Sequence, residues 1–439
     1  MKGDSTVDTQ IAIPTPQEVG YVNGGQENFY THGRELENIP ELQWPQCLSV
    51  YDRMRNDSQI SAVLSAIALP IEATTWRLDP NGASDEVTEF IAQQLDLPII
   101  GKEGEHKKKR RRRRFSWAEH LRHALLMVPF GAMFFEQVVE TTPEGMWGIR
   151  KIAPRMPDTL QAINVARDGG LISIDQKPPG DIGVIRASDA TKTTIPIDRL
   201  VAYSYRREGG NWAGRSILRP AYPHWALKQP LLKIEALAVE RNGVGVPDYE
   251  NPPGATPEQI EKGRKMAESY RAGSSAGMSR PSGSKFQLLG TTGQIMSARP
   301  VIEYHDSQIA RVALAHFLNL DGKGGSYALA TTHQDLYTIA ENSLGTEIAG
   351  TANHHIVEDL VDWNWGPDEP APRIVFDDLR SDSLSIANSL RTLADAGLIR
   401  PDRSIEEWLR RDLGAPAKDT APPEQPWTPE TETEGGAEQ

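Results

Sequence analysis

The sequence predicts an α+β protein in which short strands and long helices occupy different parts of the chain. Between residues 146 and 205, short apolar segments are separated by Gly, Pro and Asp turn signals, a pattern typical of strands. After residue 220, apolar residues recur at helical spacing over long stretches. Hydrophobic residues make up 38% and charged residues 24% of the 439 residues, so most of the chain is expected to fold.

The segment before the strands is expected to be mainly helical. Asp57 is a candidate N-cap, and apolar residues follow it at helical spacing as far as Pro70. "EATTWRLDP" alternates like a strand, and "SDEVTEFIAQQL" predicts a short helix. The stretch "SWAEHLRHALLMVPFGAMFFEQVVE" is predicted as a further helix that opens with Ser116 and Glu119 in capping-box spacing. The segments predicted as strands after it are "WGIRKIAP", "GLISIDQ", "IGVIRA" and "RLVAYSYR".

Three long helices are predicted in the second half of the chain. The first, "AYPHWALKQPLLKIEALAVERNG", should be kinked by Pro230 and end at Asn242-Gly243. A Pro/Gly/Ser-rich insert at 247–300 separates it from the second, "IEYHDSQIARVALAHFLNL". The third should run from about Asp335 to Val361, and its expected apolar face comprises Leu336, Ile339, Leu344, Ile348, Ile356 and Leu360. "PRIVFDD" is then a predicted strand, and two short helices follow.

Charge is segregated along the chain. Its formal net charge is -13, yet residues 107–114 are eight consecutive cations: Lys107, Lys108, Lys109, Arg110, Arg111, Arg112, Arg113 and Arg114. This basic run lies between two predicted helices, so it is expected in a loop. An acidic body repels phosphate backbones at long range, which argues against a protein built to grip duplex DNA over its whole surface.

Several functional classes find little support in the sequence. One cysteine, Cys47, excludes an intrachain disulfide framework and is expected to be inert core filler in a reducing compartment. The apolar runs are too short to span a bilayer, so no membrane segment is expected. "GSSAG" at 273–277 lacks the buried strand that precedes a nucleophile elbow, and "DGKGGSY" lacks P-loop spacing.

Candidate metal ligands are also weakly supported. His120 and His123, near Glu119, have i, i+3 spacing rather than the i, i+4 spacing of a helical zinc site, so a partly exposed amphipathic helix is the preferred interpretation. His354 and His355 are adjacent and do not share a helix face. No cofactor, metal or catalytic constellation is predicted, and the profile favours a component of an assembly.

The stretch "NWAGRSILRPAYPHWALKQPLLKIEALAVERNGVGVP" resembles the portal proteins of tailed bacteriophages, particularly the Mu-like branch. The residues that carry the resemblance most clearly are Gly214, Arg215, Ser216, Trp225, Lys228, Glu240, Arg241 and Gly243. "MRNDSQISAVLSAI" with "WRLDP", "EYHDSQIARVALAHFL" with "GGSYALA", and "LRTLADAGLI" with "SIEEWLRRDLG" extend it to roughly residues 45–415. Pro230 and the basic run depart from the family pattern.

The resemblance implies a portal fold with a mixed α/β wing, two stem helices, a small α/β clip and a short helical crown, assembled as a cyclic ring of twelve. The implied divisions are a flexible arm at 1–40, a wing at 41–220 with the basic loop at 103–115, stem helix 1 at 221–246, the clip at 247–300, stem helix 2 at 301–320, a tunnel loop at 321–334, a wing helix at 335–370, a crown-like region at 371–414 and a disordered acidic tail at 415–439.

The resemblance also implies partners and a location. Double-stranded DNA would pass through the ring, and Lys323, Ser326 and Tyr327 of the tunnel loop would approach it. Terminase, head-tail adaptor and major capsid protein would bind the ring at one capsid vertex of the virion, after assembly in the cytoplasm of a bacterial host. DNA is not trapped by counterion release in an acidic lumen, which suits a conduit.

Alternatives remain at this stage. The basic run could be a solvated loop without a specific partner, could contact packaged DNA or an acidic capsid or scaffold surface, or could lie on the acidic body of a neighbouring protomer. The whole chain could instead be a minor head or scaffold-type assembly protein. A nucleic-acid enzyme is a third hypothesis, with the basic run holding substrate and Asp377 and Asp378 holding metal.

Overall fold

The computed structural model describes residues 22, 37–105, 115–177, 192–244, 246–270, 279–280, 282–289, 297–312 and 327–379. At 105, 240–244, 246, 289 and 327–335 only the backbone is described. The chain divides into two units, Met1–Leu379 and Arg380–Gln439, and every described residue belongs to the first. The basic run, the segment "IGVIRA", and the predicted short helices and tail after residue 380 therefore lie outside the described residues.

Five α-helices precede the main sheet in the described part of the chain. They are α1 Cys47–Met54, α2 Ser58–Ala73, α3 Asp85–Leu95, α4 Trp117–Ala124 and α5 Met127–Phe130. Asp57 caps α2 as predicted, because its Oδ1 accepts hydrogen bonds from the backbone N–H groups of Gln59 (3.0 Å) and Ile60 (3.3 Å). Ser116 is at the N-cap of α4, but its side chain makes no capping hydrogen bond, so the predicted capping box is wrong.

Ten strands form four antiparallel sheets within the described residues. The strands are β1 Trp76–Asp79, β2 Ala132–Thr141, β3 Trp147–Arg155, β4 Leu160–Val165, β5 Leu171–Gln176, β6 Thr193–Pro196, β7 Leu200–Ser204, β8 Val246–Glu250, β9 Lys285–Leu289 and β10 Arg373–Phe376. Their orders are β3-β2-β7, β4-β5-β6, β1-β10 and β8-β9. The predicted strands that fall within the described residues are present.

The two faces of β2 join two hydrophobic cores. Met133 and Phe135 point into the larger core, which the helices cover. Phe134 points the other way, into a smaller core with Ile163 and Ile174 of the sheet β4-β5-β6. This follows from strand geometry, since successive side chains project to opposite faces. β2 is buried on both sides at this end, so its sequence is a continuous apolar run without alternation. The prediction that the helix from Ser116 continues through this run is therefore wrong.

The long helices differ from the prediction at their ends. They are α6 Leu218–Val244, α8 Arg299–Val312 and α9 Tyr327–Ala352, and a helix α7 Pro257–Glu268 lies in the insert between β8 and β9. α9 begins eight residues before the predicted Asp335, so residues 327–334 of the expected tunnel loop are helical. A π-helical turn, Asn353–Val357, links α9 to α10 Glu358–Asn364.

α6 and α8 pack antiparallel. His224 near the start of α6 contacts His305 in the middle of α8, whereas Glu235 further along α6 pairs with Arg299 at the start of α8 (Nε to Oε1, 3.0 Å). The insert with β8, α7 and β9 is therefore carried at one end of a helical hairpin. α6 runs through both Pro223 and Pro230 without a break.

Candidate functional site: the start of the helical hairpin

Three of the residues that carry the resemblance, Gly214, Arg215 and Ser216, lie where the main sheet passes into α6. Gly214 has φ +62° and Gly131, at the start of β2, has φ +93°. A Cβ on Gly214 would collide with the carbonyl oxygen of Gly131 and lie 2.7 Å from that of Tyr205. Tyr205 N–H donates to Gly131 O (2.8 Å), and Arg215 N–H donates to Tyr205 O (2.9 Å). Glycine is required on both sides of this contact because only its backbone tolerates the conformation and the close approach.

Ser216 fixes the entry into α6. Its buried hydroxyl donates to Pro129 O (2.5 Å) and accepts from Leu218 N–H (3.0 Å). The neighbouring Arg215 is exposed and its guanidinium lies 3.5 Å from Glu208. Ser216 therefore has a structural role, whereas the side chain of Arg215 is directed to the surface.

Lys228 is buried and joins three helices. Its Nζ lies 3.0 Å from a carboxylate oxygen of Asp57, the N-cap of α2, and 2.6 Å from Oδ1 of Asp306 on α8. Burial alone would lower the pKa of Lys228, but hydrogen bonds to Asp306 and Asp57 outweigh it and raise the pKa. Gln229 Nε2 also donates to Asp57 (3.4 Å). The sequence identified Asp57 as an N-cap and Lys228 as a residue that carries the resemblance, but it did not predict that the two form an ion pair.

Trp225 lies next to this network, half-buried on α6, and its ring is 6.1 Å from that of Tyr222. Of the other motif residues, Glu240, Arg241 and Gly243 are in the last turns of α6, where only the backbone is described. Tyr327 is the first residue of α9. Lys323, Ser326 and the basic run Lys107–Arg114 lie outside the described residues.

The outer side of the hairpin exposes apolar side chains. Leu227, Ile234 and Leu237 share one face of α6 and are 58%, 55% and 54% exposed. Tyr304 on α8, and Leu336 and Ile339 on α9, are also exposed. The last two were predicted to belong to the buried face of α9, which holds only for Leu344, Ile348, Ile356 and Leu360. The grouping of Leu227, Ile234 and Leu237 on one exposed helix face is typical of an interaction surface.

The acidic residues proposed for a metal-dependent enzyme are engaged in structural contacts. Asp377 forms an ion pair with Arg77, and Asp378 accepts a hydrogen bond from Asn342. Among the described residues, no group of three or more His, Cys, Asp or Glu side chains is placed to hold a metal ion.

The structure contradicts the sequence-based interpretation of His120. It is buried rather than on a partly exposed helix face, and its Nε2 is 2.8 Å from the hydroxyl of Tyr203. Burial and the nearby His123 lower the pKa of His120 to about 3, so the ring is neutral at physiological pH. Cys47 is buried as expected, and burial raises the pKa of its thiol to about 12, which makes it a poor nucleophile.

In the part of the chain that the structure describes, no helix is long and apolar enough to cross a membrane.

Solved structures with a similar fold come from a gene transfer agent (GTA). A chain in the neck of an empty GTA particle, computed with C6 symmetry, has a TM-score of 0.57 and 15% identity over 88% of this chain and 100% of that chain. A chain in the virion of the native GTA particle has a TM-score of 0.55 and 14% identity over 85% and 95%. A chain in the neck of the native GTA particle, computed with C12 symmetry, has a TM-score of 0.53 and 14% identity over 84% of this chain and 93% of that chain. At these identities the similarity establishes the fold alone.

The family assignment comes from the sequence. Residues 48–415 match the family described as the portal protein of Mu bacteriophage. The matched range spans the glycine contact, the Lys228 network and the helical hairpin. The chain therefore belongs to the Mu bacteriophage portal protein family.

Proposed function

We propose that this chain forms a closed ring of about twelve copies at one capsid vertex and that double-stranded DNA is packaged and ejected through the ring. Family membership supports a structural, non-enzymatic portal role. The observation that carries the assembly is the exposed apolar face of α6, because three large aliphatic side chains at i, i+7 and i+10 would remain in water in a monomer.

A ring requires a heterologous interface. One surface of each protomer binds a different surface of the next, and the series closes when the rotation is a whole fraction of a turn. In this proposal α6 and α8 are the stem helices, and the face with Leu227, Ile234 and Leu237 packs against a neighbouring protomer. The C12 symmetry used for the similar GTA neck agrees with such a ring.

The projecting insert is the proposed docking element. β8 and β9 pair antiparallel from Val246 opposite Leu289 to Glu250 opposite Lys285, and α7 begins with a complete capping box between Thr256 and Gln259. This structured clip would bind terminase during packaging and the head-tail adaptor afterwards, and the wing would contact major capsid protein.

Charge supports passage of DNA rather than tight binding. The chain carries a net charge of -13, and a negatively charged lumen does not hold DNA by counterion release. Lys323 and Ser326 of the expected tunnel loop, and Tyr327 at the start of α9, remain the proposed DNA-approaching residues. For the basic run Lys107–Arg114, contact with DNA or with an acidic protein surface remains a proposal.

Co-expression with the matching major capsid protein tests this function. Capsids would be purified by gradient centrifugation, and the copies of this chain per capsid counted by quantitative mass spectrometry. We expect about twelve copies per capsid, located at one vertex by electron microscopy. Incorporation at every vertex, or a variable number of copies spread over the shell, would contradict the portal assignment.

A further inference from the structure

Two histidines face each other between α6 and α8. The Nδ1 atoms of His224 and His305 are 3.2 Å apart, and their ring centroids are 5.4 Å apart with an interplanar angle of 48°. His305 is buried, which holds its ring in place, whereas His224 is partly exposed. The pair is therefore both fixed in position and open to solvent on one side.

We propose that His224 and His305 form a two-histidine site for a divalent transition metal ion such as Zn²⁺, with water completing the coordination. Histidine nitrogens bind Zn²⁺ at about 2.0–2.1 Å, and tetrahedral geometry then separates two such nitrogens by about 3.3–3.4 Å. The observed Nδ1 separation of 3.2 Å is close to this value, so binding needs the two rings to tilt towards a shared ion but not to move apart.

Metal binding requires one of the two rings to change its tautomer. One Nδ1 donates to the other in the present hydrogen bond, so that ring must take the tautomer protonated at Nε2 before both Nδ1 lone pairs can face the ion.

The surrounding charges also favour a cation. Lys228 lies one turn after His224 on α6, but it is paired with both Asp57 and Asp306, so this group carries a net charge of -1. The Tyr304 ring packs against both imidazoles, at 6.2 Å from His224 and 5.4 Å from His305. Only two of the described side chains supply ligands, so the affinity for the ion should be moderate. The bound ion would cross-link α6 to α8 and have a structural rather than a hydrolytic role.

Isothermal titration calorimetry of the full-length chain with ZnCl₂, after removal of metal by a chelator, tests the site. We expect one ion per chain at pH 7.5 and an affinity lower by at least about ten-fold in His224→Ala and in His305→Ala. His123→Ala on α4 is the matched control and should bind like the wild type. Zinc should also raise the thermal unfolding temperature of the wild type and of the control, but not of the two variants.

Replacing the buried His305 creates a cavity, so circular dichroism must verify that variant. If it does not fold, His224→Ala at the partly exposed position carries the test alone. No binding by the wild type, or equal binding by the wild type and His224→Ala, would overturn the proposal. Both histidines belong to one protomer, so the result does not depend on ring formation.

Discussion

At the residue scale, the contact between Gly131 and Gly214 is the tightest constraint on the junction between sheet and helix. Gly214→Ala would place a methyl group against the carbonyl oxygens of Gly131 and Tyr205 at φ +62°. We expect the free energy of unfolding to fall by about 2–4 kcal/mol. Urea denaturation measures it, with Gly82→Ala as control: Gly82 has φ +82° but open space, so only about 1–2 kcal/mol should be lost there. Equal losses would show that the close approach is unimportant.

Lys228 offers a second residue-scale prediction. Lys228→Met leaves the carboxylates of Asp57 and Asp306 without their shared cation in a buried site, which should cost about 3–5 kcal/mol of unfolding free energy. Lys233→Met, an exposed lysine on the same helix, should change it by less than about 0.5 kcal/mol. Similar small effects in both variants would contradict a structural role for the network.

Glu341 should make stability depend on pH. Burial raises its pKa from 4.5 to about 7, although a hydrogen bond with Tyr337 lowers it in part. The unfolded chain loses this proton near pH 4.5 and the folded chain near pH 7, so the folded state binds more protons in that interval and is destabilised as pH rises through it. At pH 8 the penalty is about 3 kcal/mol.

Urea denaturation of Glu341→Gln at pH 4 and pH 8 checks that the ionised Glu341 destabilises the folded state. The variant should equal the wild type at pH 4 and exceed its unfolding free energy at pH 8. Glu303→Gln, at an exposed position of α8, is the control, and its unfolding free energy should differ little from that of the wild type at either pH. A variant that is less stable at pH 8 would show that the ionised carboxylate has a favourable partner.

At the element scale, the exposed face of α6 is predicted to be an assembly surface. Ile234→Glu combined with Leu237→Glu places two charges on side chains that are already exposed, so the thermal stability of the protomer should change little. Assembly should be lost, which size-exclusion chromatography with light scattering would measure. Ile172→Glu, at an exposed position of β5, is the matched control and should leave assembly intact. Retention of the oligomer by the double variant would remove α6 from the interface.

Local sequence signals predicted the elements unevenly. Asp57, the strands with clear turn signals and the long helix pair could be predicted because each depends on neighbouring residues. The strand β2 was wrongly assigned to a helix, because it is buried on both faces and its apolar run has no period of two. The early start of α9 was obscured by the three glycines before it.

Contacts between distant segments could not be predicted in the same way. The pairing of Lys228 with Asp57 joins residues 171 positions apart, and that of His224 with His305 joins residues 81 apart. The burial of His120 likewise depends on packing against β7 through Tyr203. Such contacts arise from the tertiary fold, and no spacing within one helix encodes them.

At the scale of the whole molecule, the central claim is a closed ring. Light-scattering mass on the purified chain, with negative-stain images of the same fraction, tests it most directly. A closed ring should have a mass of about twelve protomers and should appear in the images with a central opening. A stable monomer or dimer at high protein concentration, with no rings in the images, would contradict it.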